Sequence, residues 1–324
     1  MLSIGSQKIN TNIFLASLSG CSDLPFRLIA REMGAEFCFY EMIDAHSLAF
    51  QPRPKNNEML STTSQDLPIA AQLLGSEPNI MLRAAEKILE INPKVSFLDI
   101  NAACPVKKVI KKKVGAYLIN NPAPLYRVME KLSTTLPIPI TVKLRTGYSK
   151  KDKAGIIKIA RGCEASGAKA IFIHGRTQAQ LYAGDVDFAS IKAIKDKVKI
   201  PVIASGNIFS AEKAKEMFDK TGCDGILVAR GAFGNPWIFR QIKAYLTEGV
   251  LLPAPSLHEK LAVLTRHVQY IEKYKISSAK VKVGLARKAA IWYLKGFEHA
   301  AMLRNKVGRA QSLRELYKLV EDLF

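Results

Sequence analysis

The chain has 324 residues, of which 48% are hydrophobic, so it can bury a sizeable core and lacks the polar tracts of a disordered protein. Its formal net charge is +20 and its pI is about 9.7. An excess of this size favours a polyanionic partner, either nucleic acid or an anionic membrane surface. The alternative is a basic protein that its charge merely keeps soluble.

The cysteines and histidines show no pattern of a metal site or a disulfide framework. Five cysteines are dispersed without a Cys-x-x-Cys pair, and the five histidines lack metal-ligand spacing. The N-terminus lacks the basic and apolar regions of a signal peptide, and no apolar run reaches the about 18 residues that cross a bilayer. We therefore expect no metal, no membrane span and a reducing, cytoplasmic location.

Short apolar or β-branched runs recur along the first 230 residues, and each is followed by a stretch with helical spacing. Eight such strands are predicted, at residues 13–16, 37–41, 69–73, 97–101, 140–144, 170–174, 201–204 and 225–229. Amphipathic helices are predicted between them, for example at 79–91, 153–168 and 210–221.

Eight β-α units in about 240 residues predict an α/β fold, a closed (β/α)8 TIM barrel. A doubly wound open sheet is the alternative, but the Gly-x-Gly-x-x-Gly turn typical of it is absent. Pro253 and Pro255 indicate a linker, and the sequence after it is predicted to be helical. We expect a catalytic barrel at 1–248 and a C-terminal helical domain at 249–324. Residues 251–324 hold 14 Lys and Arg against 6 Asp and Glu, a surplus of 8.

The active site of such a barrel lies at the C-terminal ends of its strands, and polar residues follow all eight predicted strands. They are Ser17 to Asp23, Glu41, Gln72, Asn101 to Cys104, Lys143 with Arg145, His174 to Thr177, Ser205 to Asn207, and Ala229 to Gly231. Each residue alone is more often a structural polar group. Eight polar ends together are hard to ascribe to chance.

Two of these ends predict a phosphate site. Ser205-Gly206-Asn207 and Ala229-Arg230-Gly231 follow strands seven and eight, where barrels often bind phosphate, and the glycines let backbone N–H groups approach an anion. Ordinary turns are the alternative. Lys143 lies within an apolar strand and would need a partner in the barrel mouth, unless it extends to solvent.

Cys104 ends the fourth predicted strand, which Pro105 stops. Lysines follow it at positions 107, 108, 111, 112 and 113. A buried free cysteine is usually inert, which is the interpretation for Cys21, Cys38, Cys163 and Cys223. Cys104 differs in its place at the catalytic rim, so we interpret it as a general acid, with the lysines facing RNA phosphates rather than the sulfur.

Taken together, these motifs resemble the tRNA-dihydrouridine synthases, and most closely their bacterial B-type branch. The resemblance runs over the first 240 residues and into the tail. It rests on Ser19-Gly20-x-Ser22-Asp23-Leu24-Pro25-Phe26-Arg27, Ala71-Gln72-Leu73, Asp99-Ile100-Asn101-x-x-Cys104-Pro105, Val142-Lys143-x-Arg145-x-Gly147, Ile173-His174-Gly175-Arg176-Thr177, Ser205-Gly206-Asn207-Ile208, Ala229-Arg230-Gly231 and Arg287-Lys288.

The resemblance implies an FMN-bound barrel, reduced by NADPH, that converts a uridine of the tRNA D-loop to dihydrouridine. The target base would be turned out of its stack, hydride would pass from flavin N5 to uracil C6, and Cys104 would protonate C5. The residues implied to hold FMN are Ser17, Leu18, Ser19, Gln72, Lys143, His174, Ser205, Gly206, Asn207, Ala229 and Arg230. Those implied to serve uridine and tRNA are Asn101, Lys107, Lys108, Arg145, Arg176, Arg287 and Lys288. We expect a monomer.

The chain departs from the family pattern at three places. Ser17-Leu18-Ser19 replaces a Pro-Met-Ala run, Ala102-Ala103 replaces Met-Gly before Cys104, and Ala289 replaces a histidine. Two alternatives stay open. One is a tRNA-binding factor that has kept the scaffold without the activity, and the other is a flavin barrel that reduces a small molecule such as a dihydroorotate-type substrate.

Overall fold

The computed structural model describes residues 1–51, 54–296 and 299–322, and its centre is a closed barrel of eight parallel strands. A two-stranded antiparallel hairpin, β1 and β2, precedes the barrel. The strands are β1 Leu2–Ile4, β2 Gln7–Ile9, β3 Ile13–Leu15, β4 Cys38–Asp44, β5 Ile69–Leu74, β6 Val95–Asn101, β7 Ile140–Arg145, β8 Ile171–His174, β9 Val202–Ser205 and β10 Gly225–Val228.

Consecutive strands are neighbours from β3 to β10, and β10 pairs with β3 to close the barrel. The predicted TIM barrel is therefore confirmed, and each predicted run coincides with a strand within three residues at either end. The hairpin was not predicted, because its strands have only three residues each.

Phenylalanines fill the lower interior of the barrel. Phe14, Phe37, Phe39, Phe97 and Phe172 are buried, and their ring centroids lie 5.2–6.2 Å apart in edge-on and stacked pairs. Ile4 and Ile9 of the hairpin belong to the same buried cluster. These side chains close the barrel interior at the N-terminal ends of the strands.

Helices surround the barrel and form the C-terminal region. They are α1 Leu24–Glu32, α2 Ala45–Phe50, α3 Pro54–Met59, α4 Pro78–Ile91, α5 Lys107–Ile110, α6 Tyr117–Asn120, α7 Ala123–Thr135, α8 Lys153–Ala165, α9 Phe188–Lys195, α10 Ala211–Thr221, α11 Ile238–Glu248, α12 Leu257–Tyr274, α13 Ala279–Tyr293, α14 Ala300–Arg309 and α15 Leu313–Glu321. The helices within the described residues include none long and apolar enough to cross a membrane.

The C-terminal helices share a second hydrophobic core. Leu261, Val268, Tyr293 and Leu316 are buried in it, and the barrel contributes Trp237. Gly249 ends α11 in the left-handed conformation, which glycine adopts without strain. The helical region therefore begins directly after the last helix of the barrel and packs against it.

Candidate active site

A cavity of about 390 Å³ opens at the C-terminal end of the barrel. All eight strands contribute to its lining through their last residues or the loops that follow. Every residue predicted to hold the cofactor lines it, namely Ser17, Leu18, Ser19, Gln72, Lys143, His174, Ser205, Gly206, Asn207, Ala229 and Arg230. Asn101, Cys104 and Arg145 line it as well. The barrel thus gathers residues that lie far apart in sequence.

A chain of hydrogen bonds crosses the floor of the cavity. Asp99 is fully buried and accepts from Gln72 Nε2 at 2.7 Å and from Thr141 Oγ1 at 2.7 Å. The Oε1 atom of Gln72 accepts from Asn101 Nδ2 at 2.7 Å, and Asn101 Oδ1 accepts from the backbone N–H of Cys104 at 2.8 Å. Strand register explains the arrangement, since Asp99 pairs with Gln72 on one side and Thr141 on the other.

This chain fixes the loop that carries Cys104. Asn101 Oδ1 also accepts from the N–H of Ala103 at 3.0 Å, and the carbonyl of Ala103 accepts from Arg145 Nε at 2.8 Å. Ala103 is not among the residues with positive φ, so an alanine fits here without backbone strain. The departure from the family pattern before Cys104 therefore leaves the loop intact, and the half-buried thiol lies at the cavity wall.

The cavity is positively charged. Lys143, Arg145 and Arg230 line it, and its lining includes no carboxylate from the described chain. Burial and the nearby Arg145 lower the pKa of Lys143 to about 8. Burial also lowers the pKa of Arg145 to about 10, and burial with the surrounding cations lowers the pKa of His174 to about 2. His174 is therefore neutral at physiological pH.

The ends of β9 and β10 provide an anion site beside these cations. Gly206 has φ +135° and Asn207 φ +52°, so the turn after β9 depends on residues that tolerate positive φ. The Arg230 guanidinium lies 4.6 Å from the ring of Tyr182 and 5.7 Å from that of Phe209. Within the described chain it makes no ion pair or hydrogen bond, so it is available to an anion in the cavity.

One buried atom at the cavity has no protein partner. The hydroxyl of Ser17 is buried and forms no hydrogen bond among the residues that the structure describes. Such groups are rare in native interiors, because an unmet buried hydroxyl costs free energy. Together with the unpaired Arg230, it fits a bound ligand that has a phosphate and further polar edges. Residues 1–51, 54–296 and 299–322 contain no cluster of three or more His, Cys, Asp and Glu side chains that could hold a metal ion.

Arg176 lies beside the cavity without lining it, and it is 2% exposed. Its guanidinium donates to the carbonyls of Ala183 and Gly184 and to Asn207 Oδ1. These bonds order the loop after β8 and hold Asn207. That Arg176 serves the substrate stays a prediction.

The predicted substrate residues outside the cavity divide into two groups. Lys107 and Lys108 lie exposed on α5, close in sequence to Cys104. Arg287 instead donates from Nε to the Ala310 carbonyl at 2.6 Å, which joins α13 to the segment after α14. That Arg287 serves tRNA stays a prediction. Lys288 donates from Nζ to the carbonyl of Gly20, at the edge of the cavity wall.

Three further residues belong to the site, although the sequence assigned none of them a role there. Asp99 anchors the hydrogen-bond chain, Glu41 accepts from the N–H of Gly20 at 2.5 Å, and the half-exposed Tyr182 lies between Arg145 and Arg230. Burial and the nearby Asp23 raise the pKa of Glu41. A charged residue in an apolar strand could have revealed Asp99, as it did Lys143.

Comparison with known proteins shows the family of this chain. A family model described as dihydrouridine synthase (Dus) matches residues 14–324. The chain is 34% identical over 322 residues to tRNA-dihydrouridine synthase B of Pasteurella multocida, covering 99% of this chain and 95% of that protein. It is 36% identical over 307 residues to a probable tRNA-dihydrouridine synthase of Rickettsia bellii, covering 95% of this chain and 93% of that protein.

Among solved structures, the fold is similar to that of the old yellow enzyme from Trypanosoma cruzi, with a TM-score of 0.57 and 9% identity over 80% of this chain and 94% of that one. It is also similar to that of histamine dehydrogenase from Rhizobium, with a TM-score of 0.59 and 13% identity. This match covers 83% of this chain and 50% of that one. At these identities the likeness concerns the fold alone. The near full-length sequence matches decide the family, and this chain belongs to the dihydrouridine synthases.

Proposed function

We propose that this enzyme reduces uridine to 5,6-dihydrouridine in the D-loop of tRNA, with FMN as its bound cofactor and NADPH as the reductant, acting as a monomer in the cytoplasm. One observation supports this most. The Cys104 thiol lies on the wall of a cationic cavity that also holds an unpartnered serine and an unpaired arginine. A proton donor and a site for an anionic cofactor thus share one space.

The residues of the cavity suit the parts of FMN. Arg230 and the backbone of Gly206 and Asn207 would hold the phosphate, because a guanidinium and exposed N–H groups both favour a dianion. Lys143 would lie against the edge of the ring that carries negative charge after reduction, and Gln72 would donate its remaining N–H to the ring. Ser17 would regain a partner for its hydroxyl, and neutral His174 would add a hydrogen bond.

When bound, the reduced flavin supplies a hydride to C6 of the uracil ring. Cys104 then gives its proton to C5, so that the C5=C6 double bond becomes single and the thiolate regains a proton from solvent. The bond from Asn101 to the Cys104 N–H fixes where the thiol stands during this step. Arg145 holds the neighbouring Ala103 carbonyl and is 2% exposed, so it supports the loop from beneath.

The RNA would bind across the rim and the helical region. Lys107 and Lys108 are exposed on α5 beside the cavity, and residues 251–324 carry a surplus of 8 positive charges. Lysines that neutralise phosphates release counterions, so tRNA affinity should fall steeply with salt. A small substrate would need no such surface, which is why we favour tRNA.

The test is conversion of unmodified tRNA by the purified protein with FMN and NADPH, measured as dihydrouridine by mass spectrometry. Wild type should react, and Cys104→Ala should lose about 10²- to 10⁴-fold in rate, the usual contribution of a positioned acid. Cys223→Ala, which changes a thiol outside the cavity, serves as the control.

The outcomes separate the alternatives. A Cys104→Ala variant with full turnover would remove Cys104 as the acid. A colourless protein that binds tRNA but forms no dihydrouridine would instead indicate a binding factor. Mapping dihydrouridine in cells that lack the protein would identify which D-loop uridine it reduces.

A further inference from the structure

One wall of the cavity is the loop after β3, residues 17–23, which we call the β3 loop. Ser17, Leu18, Ser19 and Cys21 from this loop line the cavity. The buried Ser17 hydroxyl has no partner in the described chain, so the loop presents at least one polar group to a ligand. Its conformation therefore decides how well a cofactor fits this wall.

The middle of the β3 loop is held from two sides. The N–H of Gly20 donates to the buried carboxylate of Glu41 at 2.5 Å, and the carbonyl of Gly20 accepts from Nζ of Lys288 on α13. Gly20 has φ +72°, a conformation that other residues adopt poorly. One anchor belongs to the barrel and the other to the helical region.

The same helix supports a second wall of the cavity. Trp292 of α13 stacks on Phe233, with ring centroids 4.3 Å apart and planes within 2°, and Phe233 lines the cavity near Arg230. The approach is close, because a Cβ on Gly234 would lie 2.2 Å from the Trp292 carbonyl oxygen. The Lys288 ammonium lies 5.2 Å from the Trp292 ring centroid.

We propose that Lys288 is a positioning residue of the cofactor site, which holds the β3 loop in its binding conformation from the helical region. One of its donors meets a backbone carbonyl of the β3 loop. Loss of this bond frees one side of the Gly20 peptide, and a loop that must be ordered on binding weakens affinity. The inference rests on the proposed function only in taking FMN as the cofactor.

The test compares FMN affinity by fluorescence titration of cofactor-free protein. Lys288→Met, which removes the ammonium and keeps an apolar stem beside Trp292, should raise the FMN dissociation constant about five- to tenfold, the equivalent of one ordinary hydrogen bond. Lys288→Arg keeps a donor and should restore affinity to within about twofold. Lys280→Met changes an exposed lysine of the same helix and should leave FMN affinity unchanged.

Filter binding of unmodified tRNA to the same variants tests the alternative, in which Lys288 binds a tRNA phosphate. If Lys288→Met weakens tRNA binding far more than Lys280→Met and leaves FMN affinity at the wild-type value, Lys288 is a phosphate ligand and the inference is wrong. Thermal melting shows whether each variant folds, and Lys288→Gln, shorter and uncharged, replaces the Met variant if that one does not. Failure of wild type to bind FMN would overturn the proposed function instead.

Discussion

At the scale of single residues, the direction of the hydrogen bonds in the cavity floor is set by one carboxylate. Ionised Asp99 can only accept, so Gln72 must turn Nε2 toward it and Oε1 toward Asn101. Asn101 is then obliged to donate to Gln72 and to accept from the N–H of Cys104. The position of the thiol thus depends on a buried group three contacts away.

Asp99→Asn should disturb this chain with little change in shape. An asparagine can keep Oδ1 toward Gln72 Nε2 only if its Nδ2 faces Thr141 Oγ1, which must then accept instead of donating, and the opposite orientation sets two donors against each other at Gln72. The substitution also removes the buried negative charge near Lys143. We therefore expect tRNA reduction about 10-fold slower, with a weaker FMN complex. Thr141→Val, which removes one donor without reversing the chain, should cost less. Single-turnover kinetics and flavin titration measure both, and an active Asp99→Asn with wild-type FMN affinity would refute the argument.

At the scale of helices, the two longest helices of the C-terminal region begin differently. The Ser256 hydroxyl accepts from the Glu259 N–H at 3.2 Å, and Glu259 accepts from the Ser256 N–H at 2.8 Å, a reciprocal capping box at α12. Ser278 occupies the same position before α13 and its side chain makes no capping bond. Ser256 and Ser278 therefore form a matched pair of positions, one with a capping bond and one without it.

Ser256→Ala should lower the free energy of unfolding by about 1 kcal/mol, because the Glu259 N–H loses its partner and the bond from the Ser256 hydroxyl to the Glu259 carboxylate is lost. Ser278→Ala should change it by less than about 0.5 kcal/mol, since no capping bond is lost. Urea unfolding followed by far-ultraviolet circular dichroism measures both. Equal losses in the two variants would show that the capping box contributes nothing particular to α12.

At the scale of the whole molecule, a buried ionic cluster joins the barrel to the helical region. Lys275, which follows α12, lies 3.5 Å from Asp23 Oδ2 and also pairs with Glu58, and the three side chains are 8–10% exposed. Burial lowers the pKa of Lys275, but the two carboxylates together raise it above its ordinary value. Ser277 donates to Glu58 at 2.7 Å in the same cluster.

Lys275→Met should destabilise the protein by about 3 kcal/mol at neutral pH, because it leaves buried carboxylates without a counter-charge. Glu41, whose pKa burial already raises, also loses an attractive neighbour. A carboxylate with a raised folded-state pKa costs stability above that pKa and not below its unfolded value. The deficit should therefore be smaller at pH 5 than at pH 7.5.

Thermal melts at the two pH values check this prediction. Arg266→Met is the control, since Arg266 pairs with Glu32 across the same boundary at 2.8 Å but is half exposed, and such pairs contribute at most about 1 kcal/mol. A deficit in Lys275→Met that grows on acidification would contradict the assigned cause.

Local sequence patterns predicted much of this organisation. The β-α alternation predicted the barrel, and the polar strand ends predicted the cavity lining, because parallel strands of one barrel bring their C-terminal ends to one rim. That Arg176 and Arg287 serve uridine and tRNA stays a prediction, although both donate to backbone carbonyls in the structure. A guanidinium beside a motif can meet either a ligand or a backbone carbonyl, and local sequence does not distinguish the two.

By itself, the sequence determined the number of strands in the barrel, the polar end of the barrel, the thiol at Cys104 and the basic tail. These follow from hydrophobic periodicity and from residue types within a few positions of one another. Only the tertiary structure decided that Asp99 directs the hydrogen bonds beneath Cys104, that Ala103 sits there without strain, and that Lys288 reaches the Gly20 carbonyl. Those facts depend on the orientation of groups from 27 to 268 residues apart, which folding alone brings into hydrogen-bond distance.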